Sequence, residues 1–567
     1  RALAIREGVN GKPDAALGDT LNNFAGLYVK QGRYDEAEAL FTRARAFYQN
    51  SPGDHRTEIA SVDTNLGEFS MHRGRFSEAE KFLKQALSSR EQIYGKMHSE
   101  TAQTLASLGY FYLTIGQYGQ AEQAYTQAVS IGERTLGANH PDLAVLYGYL
   151  AILYHHQNKY PAAEALYQRV LTIKEAALGP DNPSIAGTLN NLADLYRMQA
   201  RFPEAERLFK RSLAITEKSL GPNHPDVGLM LANLGDVYRG EGRYAEAAQS
   251  FAGALSIDLQ SFGEQHPESL RVLVLTGSAN LAQSKFPEAE ALYKRALAGQ
   301  QKIFGPDHPT IAVTLQQLAM VSLGQNDLAA AETYFRQELA MQEKLGQSSP
   351  HYASGLVALT LLLHEKGEER DALSYSRRAV TILAADTAPL TEDAIQGRAE
   401  AYGIHLGMLN VATEKAIEPA AALAREALAT AQLSVQSSAA AAIQQTGLRF
   451  AAGNDALAAL VRERQDLAVA RGGLDRALLA ALSKIPAESG SAAAVRKQIA
   501  DNEKRQNEIA ARLDKEFPDY AALSRAQSMT AEEIQPLLSA DEAIVLFAVG
   551  IGESYVFAIT SEAVGWK

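Results

Sequence analysis

The sequence contains no cysteine, which excludes disulfide bridges, thiolate metal sites and a cysteine nucleophile within its 567 residues. No apolar run reaches the ~18 residues that a membrane-spanning helix requires. Positive charge is outnumbered, because 66 Asp and Glu face 54 Lys and Arg and leave a net charge of −12. Such a chain repels nucleic acid and anionic lipid, so we expect neither nucleic acid nor a membrane as its partner.

A start signal is also lacking, since the first residue is Arg1 rather than methionine and no signal-peptide pattern follows. We therefore expect the native N-terminus to precede this sequence. The absence of cysteine fits a cytoplasmic location and leaves a periplasmic one open.

What the sequence does contain is a strict 42-residue repetition. Glycine recurs at this interval at positions 11, 53, 95, 137, 179, 221, 263 and 305. A small residue, glycine or alanine, recurs at positions 25, 67, 109, 151, 193, 235, 277 and 319. An aromatic residue recurs in the same phase at Tyr34, Phe76, Tyr118, Tyr160, Phe202, Tyr244 and Phe286. Three series in phase indicate an array of identical structural units.

Each unit reads as two helices, as residues 221–263 illustrate. Gly221 suits the left-handed end of a preceding helix, and Pro225 suits a first helical turn. Gly242 marks the turn to a second helix that begins at Tyr244. The first helix carries one apolar face, formed by Leu231, Leu234, Val237 and Tyr238. The small residue of each unit is expected where the two helices cross, because a larger side chain would push them apart.

The segments TLNNLADLY at 188–196 and LGPNHP at 220–225 resemble tetratricopeptide repeats of the 42-residue type found in kinesin light chains. The resemblance covers residues 1–382. It implies an all-α, right-handed superhelical solenoid of about nine helix pairs, the first of them incomplete. It also implies a concave groove that binds a protein or peptide ligand.

Beyond the repeats, residues 383–520 are rich in alanine and are predicted to form a helical connector. Two long segments, 436–483 and 491–515, are expected to pair as an antiparallel hairpin. Strand patterns follow at 544–549 and 555–560, and a third strand could start at 563–566. The first strand is apolar on both faces, so we expect it inside a sheet that is covered on both sides. Residues 521–567 are therefore expected to open a larger α/β domain that is cut short.

Three segments near the C-terminus carry a second resemblance: FAAGNDALAALVRERQD at 450–466, FPDYAAL at 517–523 and LLSADEA at 537–543. Their order after the repeats is similar to that in bacterial CHAT-domain proteins, which join tetratricopeptide repeats to a caspase-like peptidase domain with a His/Cys pair. The resemblance implies that residues 521–567 begin such a domain and that its catalytic pair lies beyond Lys567. We therefore expect no catalytic residue and no turnover within this sequence.

Candidate partner-binding residues come from the first helix of each pair, which the resemblance places on the concave side. Positions −3, +1 and +4 relative to the small residue share one helical stripe. These positions vary and are mostly polar, while the packing positions stay constant, which suits an extended peptide or a helix laid along a groove. The predicted site comprises Asn22, Glu68, Tyr110, His155, Asn190, Asp194, Arg197, Asp236 and Arg239.

Histidine also recurs with the repeat, at His98, His140, His224, His266 and His308. Because each lies in a separate loop between repeats, these residues cannot converge on one metal ion and are interpreted as structural. His155 and His156 are adjacent and point in different directions along a helix. No phosphate-binding loop and no nucleophile–His–carboxylate signature is visible, so we expect no metal and no cofactor. Carboxylates that follow the small residue of the second helix are expected to be solvated or to favour the helix dipole: Glu38, Glu80 and Glu122.

Two functions follow from these patterns. The favoured one is a repeat module that senses a protein partner and regulates a C-terminal caspase-like peptidase not contained in this sequence. The alternative is a non-catalytic scaffold or adaptor similar to kinesin light chains. A histidine and a cysteine on later strands of the parent protein would distinguish the first from the second. The oligomeric state stays open.

Overall fold

The computed structural model describes residues 15–31, 33–345, 350–385, 392–434, 455–482, 489–518, 520, 529–549 and 553–567. These residues are mostly helical, with a small antiparallel sheet near the C-terminus. The predicted fold class, a helical repeat solenoid followed by a short β segment, is confirmed. The chain divides into two compact units: unit 1 comprises residues 1–263 and 469–499, and unit 2 comprises residues 264–468 and 500–567.

The described residues of unit 1 form six consecutive helix pairs. The helices are α1 (Ala15–Lys30), α2 (Tyr34–Asn50), α3 (Arg56–His72), α4 (Phe76–Tyr94), α5 (Ser99–Thr114), α6 (Tyr118–Thr135), α7 (Pro141–His156), α8 (Tyr160–Leu178), α9 (Pro183–Met198), α10 (Phe202–Leu220), α11 (Pro225–Gly240) and α12 (Tyr244–Phe262). Each first helix packs against the second helix of its own pair and the second helix of the preceding pair.

Unit 2 continues with α13 (Pro267–Ala282), α14 (Phe286–Phe304), α15 (Pro309–Gly324), α16 (Leu328–Leu345), α17 (Pro350–Glu365), α18 (Glu369–Ala385) and α19 (Glu392–Glu414). A further helix, α20, spans 420–434. Then follow α21 (Asp455–Leu482), α22 (Ser489–Glu516) and the short α23 (Ala531–Ile534). Residues 469–482 of α21 and 489–499 of α22 are part of unit 1.

The recurring histidines begin the first helices. In His98, His140, His224, His266 and His308 the side chain accepts a hydrogen bond from the backbone N–H two residues later. Asn182 does the same at the start of α9. This contact satisfies one of the N–H groups that an α-helix leaves unpaired at its N-terminus. The structural interpretation of these histidines is confirmed.

The small residue of each pair lies against a large side chain of the second helix. A Cβ built on Gly109 would lie 2.7 Å from Tyr125 Cδ1, and one built on Gly235 would lie 2.6 Å from Phe251 Cε1. Both rings are buried in the core of their pair. The expected steric role of the small residue is confirmed, because any side chain there must displace the ring.

The sheet in unit 2 consists of β1 (Ala543–Val549), β2 (Ser554–Thr560) and β3 (Val564–Trp566), in the order β1-β2-β3. Phe557 and Ile559 on β2 join a core that also contains Leu409 of α19 and Leu428 of α20. The expectation that the first strand is covered on both faces is wrong, since Phe547 on β1 is 63% exposed. Among the described residues, β1 is an edge strand with only β2 beside it.

The predicted helical hairpin is confirmed where the structure describes it. Leu460 of α21 packs with Ile509 and Leu513 of α22, while Asn502 Nδ2 donates to the carbonyl oxygen of Leu467 at 3.0 Å. Early residues of α21 thus meet late residues of α22, which is an antiparallel arrangement. The first helix begins at Asp455, and 436–454 lies outside the described residues. The division of the chain at 382 and 520 stays a prediction.

Candidate functional site

The exposed side of the first helices in unit 1, which we call the first-helix face, carries the predicted site. It is formed by α1, α3, α5, α7, α9 and α11. Neighbouring first helices approach each other more closely than neighbouring second helices do. Side chains from successive repeats therefore come within contact distance on this face.

The predicted residues differ in exposure. Tyr110 is 49% exposed, and Glu68 and Arg239 are also exposed. The others are half-buried: Asn22, His155, Asn190, Asp194, Arg197 and Asp236. The position most consistently exposed on these helices is −6, which lies outside the predicted stripe at −3, +1 and +4.

Two asparagine pairs cross repeat boundaries in the same way. Asn65 Nδ2 donates to Asn22 Oδ1 at 3.0 Å, and Asn233 Nδ2 donates to Asn190 Oδ1 at 2.8 Å. Sequence reasoning missed Asn65 and Asn233, although both stand 43 residues after their partners. Each pair fixes two amides on the first-helix face and leaves other amide groups able to bond a ligand.

His155, Asp194 and Arg197 are brought together from α7 and α9. Asp194 Oδ1 lies 2.7 Å from Arg197 Nη2, and its Oδ2 lies 3.8 Å from His155 Nε2. Burial lowers the pKa of His155, and the Arg197 charge acts in the same direction against the opposing Asp194 charge. The imidazole is therefore mainly neutral near pH 7. On the next first helix, Asp236 and Arg239 form a similar pair at 2.8 Å.

An aromatic group lies beside these polar groups. Tyr149 on α7 stacks on Tyr125 with ring centroids 5.9 Å apart and an interplanar angle of 10°. Burial raises the pKa of Tyr149, and the charge of Glu68 adds to the shift. Glu68 also accepts a hydrogen bond from Ser107 at 3.0 Å. Tyr149 was missed because its position, −2, was not part of the predicted stripe.

One residue of α21, Gly473, lies against the helix pair formed by α5 and α6. Gly473 approaches the turn between α5 and α6, where a Cβ on Gly473 would lie 2.9 Å from Tyr118 Oη and 3.2 Å from Gly116 Cα. This contact buries Tyr118 at the end of the helix pair. Tyr110 and Tyr149 remain exposed.

The carboxylates after the small residue of the second helix, Glu38, Glu80 and Glu122, are half-exposed and also have partners. Glu38 pairs with Arg75 at 2.7 Å and Glu122 with Lys159 at 2.9 Å, in each case across a repeat boundary. Glu80 pairs with Lys84 and accepts from Tyr112 of the next pair. The next repeat thus brings a donor to each carboxylate, a contact that the sequence did not predict.

Unit 2 contains a Ser–His–Glu arrangement that sequence reasoning missed. His405 Nδ1 lies 2.9 Å from Ser376 Oγ, and its Nε2 lies 3.1 Å from Glu426 Oε1. Ser376 and His405 are both buried in the helical core of unit 2. The three residues come from α18, α19 and α20, and they link these helices as a structural polar network.

Other kinds of site have no counterpart in the part of the chain that the structure describes. There, no group of three or more His, Asp or Glu side chains has the arrangement of a metal site. Within the same residues, no helix is both long and apolar enough to cross a membrane.

Comparison with known proteins identifies the repeat. The tetratricopeptide repeat profile matches residues 1–50, 58–134, 107–176, 184–260, 227–302 and 277–344, which is more than half of the chain. No curated protein sequence matches significantly.

Three solved structures are similar in fold. Nearly identical TPR-like repeats assigned to a kinesin light chain of Podosopora anserina are 25% identical and cover 36% of this chain and 97% of that one, with a TM-score of 0.34. BtubC (BKLC) from P. vanneervenii is 21% identical, with coverages of 42% and 96% and a TM-score of 0.36. The apo quorum sensor NprR from B. thuringiensis is 12% identical, with coverages of 64% and 98% and a TM-score of 0.47. By its repeats, the chain belongs to the tetratricopeptide repeat family and is a protein–protein interaction scaffold.

Proposed function

We propose that the first-helix face of unit 1 binds a segment of a protein partner, and that the chain is a partner-recognition module. The observation that carries this proposal is the contrast between two sets of positions. The packing positions repeat with little change, whereas position +1 on the first-helix face changes from Glu68 to Tyr110 to Asp236. A helix face that was only exposed to solvent, without a binding role, would need no such variety of hydrogen-bond donors, acceptors and aromatic rings.

Preorganisation supports the same proposal. The Asp194–Arg197 and Asn190–Asn233 contacts hold their side chains in one geometry before a ligand arrives. A partner then loses less side-chain entropy on binding, and each fixed group can bond a peptide N–H or carbonyl. Exposed Tyr110 and Tyr149 add large apolar contact areas of the kind that dominates binding energy at interfaces.

Site-specific cross-linking in cells of the native host tests this function. A photoreactive residue at Tyr110 or Arg239 should cross-link to one and the same partner. The matched control is Leu220, which is similarly exposed but lies at the end of the second helix α10. Cross-linking of that partner at Leu220 alone, or at none of the three positions, would contradict the proposal.

The resemblance to CHAT-domain proteins supports a second element, namely that partner binding regulates a caspase-like peptidase domain encoded beyond Lys567. It rests on the order of repeats, hairpin and strands in the sequence. Its test is peptidase activity of the natural full-length protein with and without the cross-linked partner. We expect the peptidase activity to change when the partner is added. If the full-length protein has no His/Cys pair, the alternative function, a non-catalytic adaptor, is favoured instead.

A further inference from the structure

A cleft of about 220 Å³ opens on the first-helix face between α7 and α9, with α8 as its floor. We call it the Lys174 cleft; the residues that matter here are Val145, Tyr149, Tyr167, Lys174, Ser184 and Thr188. Two glycines, Gly148 and Gly187, also line it, and a Cβ on either would meet no atom within 4 Å.

These two glycines have no steric explanation. Gly109 and Gly235 must be small because a ring of the second helix packs against them, whereas Gly148 and Gly187 face open space. Glycine inside a helix is destabilising relative to alanine. Other repeats carry side chains at the matching positions. Two repeats earlier, for example, Gln103 stands in the place of Gly187. The feature that Gly148 and Gly187 have in common is the open cleft.

Lys174 lacks a partner that its counterpart possesses. Arg90 stands two repeats earlier at the same position, and it bonds Thr104 at 2.8 Å, Ser61 at 3.2 Å and the carboxylate of Glu100 at 3.5 Å. The residues that correspond to Glu100 and Ser61 are Ser184 and Val145, neither of which carries a charge.

Lys174 Nζ therefore bonds only neutral groups, the carbonyl oxygen of Ser184 at 2.9 Å and the hydroxyl of Thr188 at 3.4 Å. Among the residues that the structure describes, no carboxylate pairs with it. Burial lowers the pKa of Lys174, as expected for an ammonium group that has lost water without gaining an anion.

A second donor in the cleft is also unused. Tyr167 is 1% exposed, and its hydroxyl has no hydrogen-bond partner. At the same position three repeats later, the hydroxyl of Tyr293 bonds Ser278 and Gln317. Tyr125, one repeat earlier, also lacks a hydroxyl partner but does not line the cleft. A buried hydroxyl without a partner is unfavourable, so an acceptor supplied from outside would stabilise it.

We propose that the Lys174 cleft binds the carboxylate of a glutamate side chain from the partner polypeptide. The carboxylate takes the place that Glu100 occupies beside Arg90, accepting from Lys174 and Tyr167, while the methylene groups pack on Val145 and Tyr149. A charge-assisted bond between an ammonium group and a carboxylate is stronger than a bond between neutral groups. This assignment rests on the proposed function, because it names one contact of the partner on the first-helix face.

A single substitution should supply the missing carboxylate from the chain itself and so block the cleft. Ser184→Glu places a carboxylate where Glu100 stands, so it should pair with Lys174 and exclude the ligand. The matched control is Thr310→Glu, which adds the same charge at the same helix position. There the residue in the place of Lys174 is Gln300, so no ion pair forms.

Three sets of fluorescein-labelled peptides serve as probes for the full chain and both variants. The first set is amidated, with a central glutamate and Ala, Leu, Val or Tyr at the flanking positions. The second has glutamine at the centre, and the third has a central glutamine with a free C-terminal carboxylate. Fluorescence anisotropy should detect binding of the glutamate set alone, weakened at least 10-fold by Ser184→Glu and unchanged by Thr310→Glu.

Equal binding of the glutamine set, binding of the free-carboxylate set alone, or absence of binding by every set would overturn the assignment. So would equal affinities of the two variants. Cross-linking at Tyr110 in the chain that keeps Ser184 separates this failure from failure of the proposed function. If the peptides fail while Tyr110 still captures its partner, the glutamate site is wrong and the partner-binding face stands. Loss of both overturns both.

Discussion

Arg243 connects two repeats by donating from Nη1 to Oε2 of Glu206 at 2.9 Å. Its guanidinium carbon also lies 4.2 Å from the centre of the Tyr238 ring. One repeat earlier, Arg201 lies 3.1 Å from Glu164 and 4.0 Å from the ring of Tyr196. The same three-residue contact therefore recurs between helix pairs, and it adds a polar connection to the apolar seam that holds a repeat array together.

Glu206→Gln tests this connection, because it keeps the shape of the side chain and removes its charge. Burial raises the pKa of Glu206, but bonds from Lys210 and Arg243 outweigh burial and leave the pKa lowered. A lowered pKa stabilises the fold above the unfolded pKa and loses this effect as pH falls. We expect Glu206→Gln to lower the thermal midpoint at pH 7 and to flatten its decline below about pH 4.5.

The control for this prediction is Glu246→Gln. Glu246 bonds the same Arg243, but it lies in the same turn and is exposed, so it connects no repeats. Its loss should leave the midpoint nearly unchanged, as is usual for surface pairs. Equal effects of the two substitutions would show that the contact across the boundary has no special role.

Gly109→Leu should destabilise unit 1 by about 1–3 kcal/mol, because the new side chain overlaps the ring of Tyr125 in a filled core. Denaturant unfolding followed by circular dichroism measures the change. The matched control is Gly148→Ala, where the added methyl meets open space. This control should raise stability by about 0.5–1 kcal/mol. A neutral Gly109→Leu would contradict the steric role of the small residue.

Much of the fold was predictable because a few residue types mark most boundaries. Glycine or asparagine is favoured where the backbone turns left-handed, as at Gly242 and Asn158, and proline starts the next helix at Pro225. Such local requirements are visible in a sequence and repeat with the period. The exposure of β1 was not predictable in this way, since apolar residues show that a strand can be covered and not which neighbours cover it.

The site was only partly predictable for a similar reason. Asp194, Arg197 and His155 were found because a stripe on one helix can be counted along the sequence. Asn233 and Tyr149 were missed because contacts across a repeat boundary depend on how neighbouring helices are rotated. Ser376, His405 and Glu426 come from three helices without a common spacing, so only the folded chain brings them together.

Ala200 has φ +55° at the turn between α9 and α10, in the left-handed region that alanine rarely adopts. The corresponding residue one repeat later is Gly242, with φ +74°. Ala200→Gly should therefore raise the free energy of unfolding by about 1 kcal/mol, since glycine has no Cβ to oppose this backbone. The reverse change, Gly242→Ala, should lower it by a similar amount. Chemical denaturation measures both changes. A lower free energy of unfolding for Ala200→Gly, or a higher one for Gly242→Ala, would contradict the backbone explanation.

Glu338 on α16 is buried beneath Gly355, and one of its carboxyl oxygens has no hydrogen-bond partner. Burial raises its pKa to about 7, against a bond from Gln342. A raised pKa means that the contribution of Glu338 to stability is greatest below about pH 4.5 and is lost as pH rises to 7. The shift corresponds to about 3 kcal/mol. Glu338→Gln should remove this loss, measured as unfolding free energy at pH 5 and pH 8.

The control for Glu338→Gln is Glu332→Gln, on the same helix but paired with Lys366 and Arg336. The pKa of Glu332 is lowered by these partners, so its substitution should decrease stability at pH 8 rather than increase it. If both variants respond to pH alike, the buried carboxyl is not the source of the dependence.

The combination of Asn190→Ala with Arg197→Ala removes one amide and one guanidinium from the centre of the first-helix face. Their partners Asn233 and Asp194 stay in contact with solvent, so we expect a loss of stability below about 1 kcal/mol. Cross-linking of the partner through Tyr110 should nevertheless be abolished. The control is Arg295→Ala. Arg295 lies on the second helix α14 and pairs with exposed Glu264, so its loss should leave cross-linking intact. If the double variant still cross-links to the partner, Asn190 and Arg197 do not belong to the binding site. A module that binds through fixed polar groups cannot lose two of them without loss of affinity.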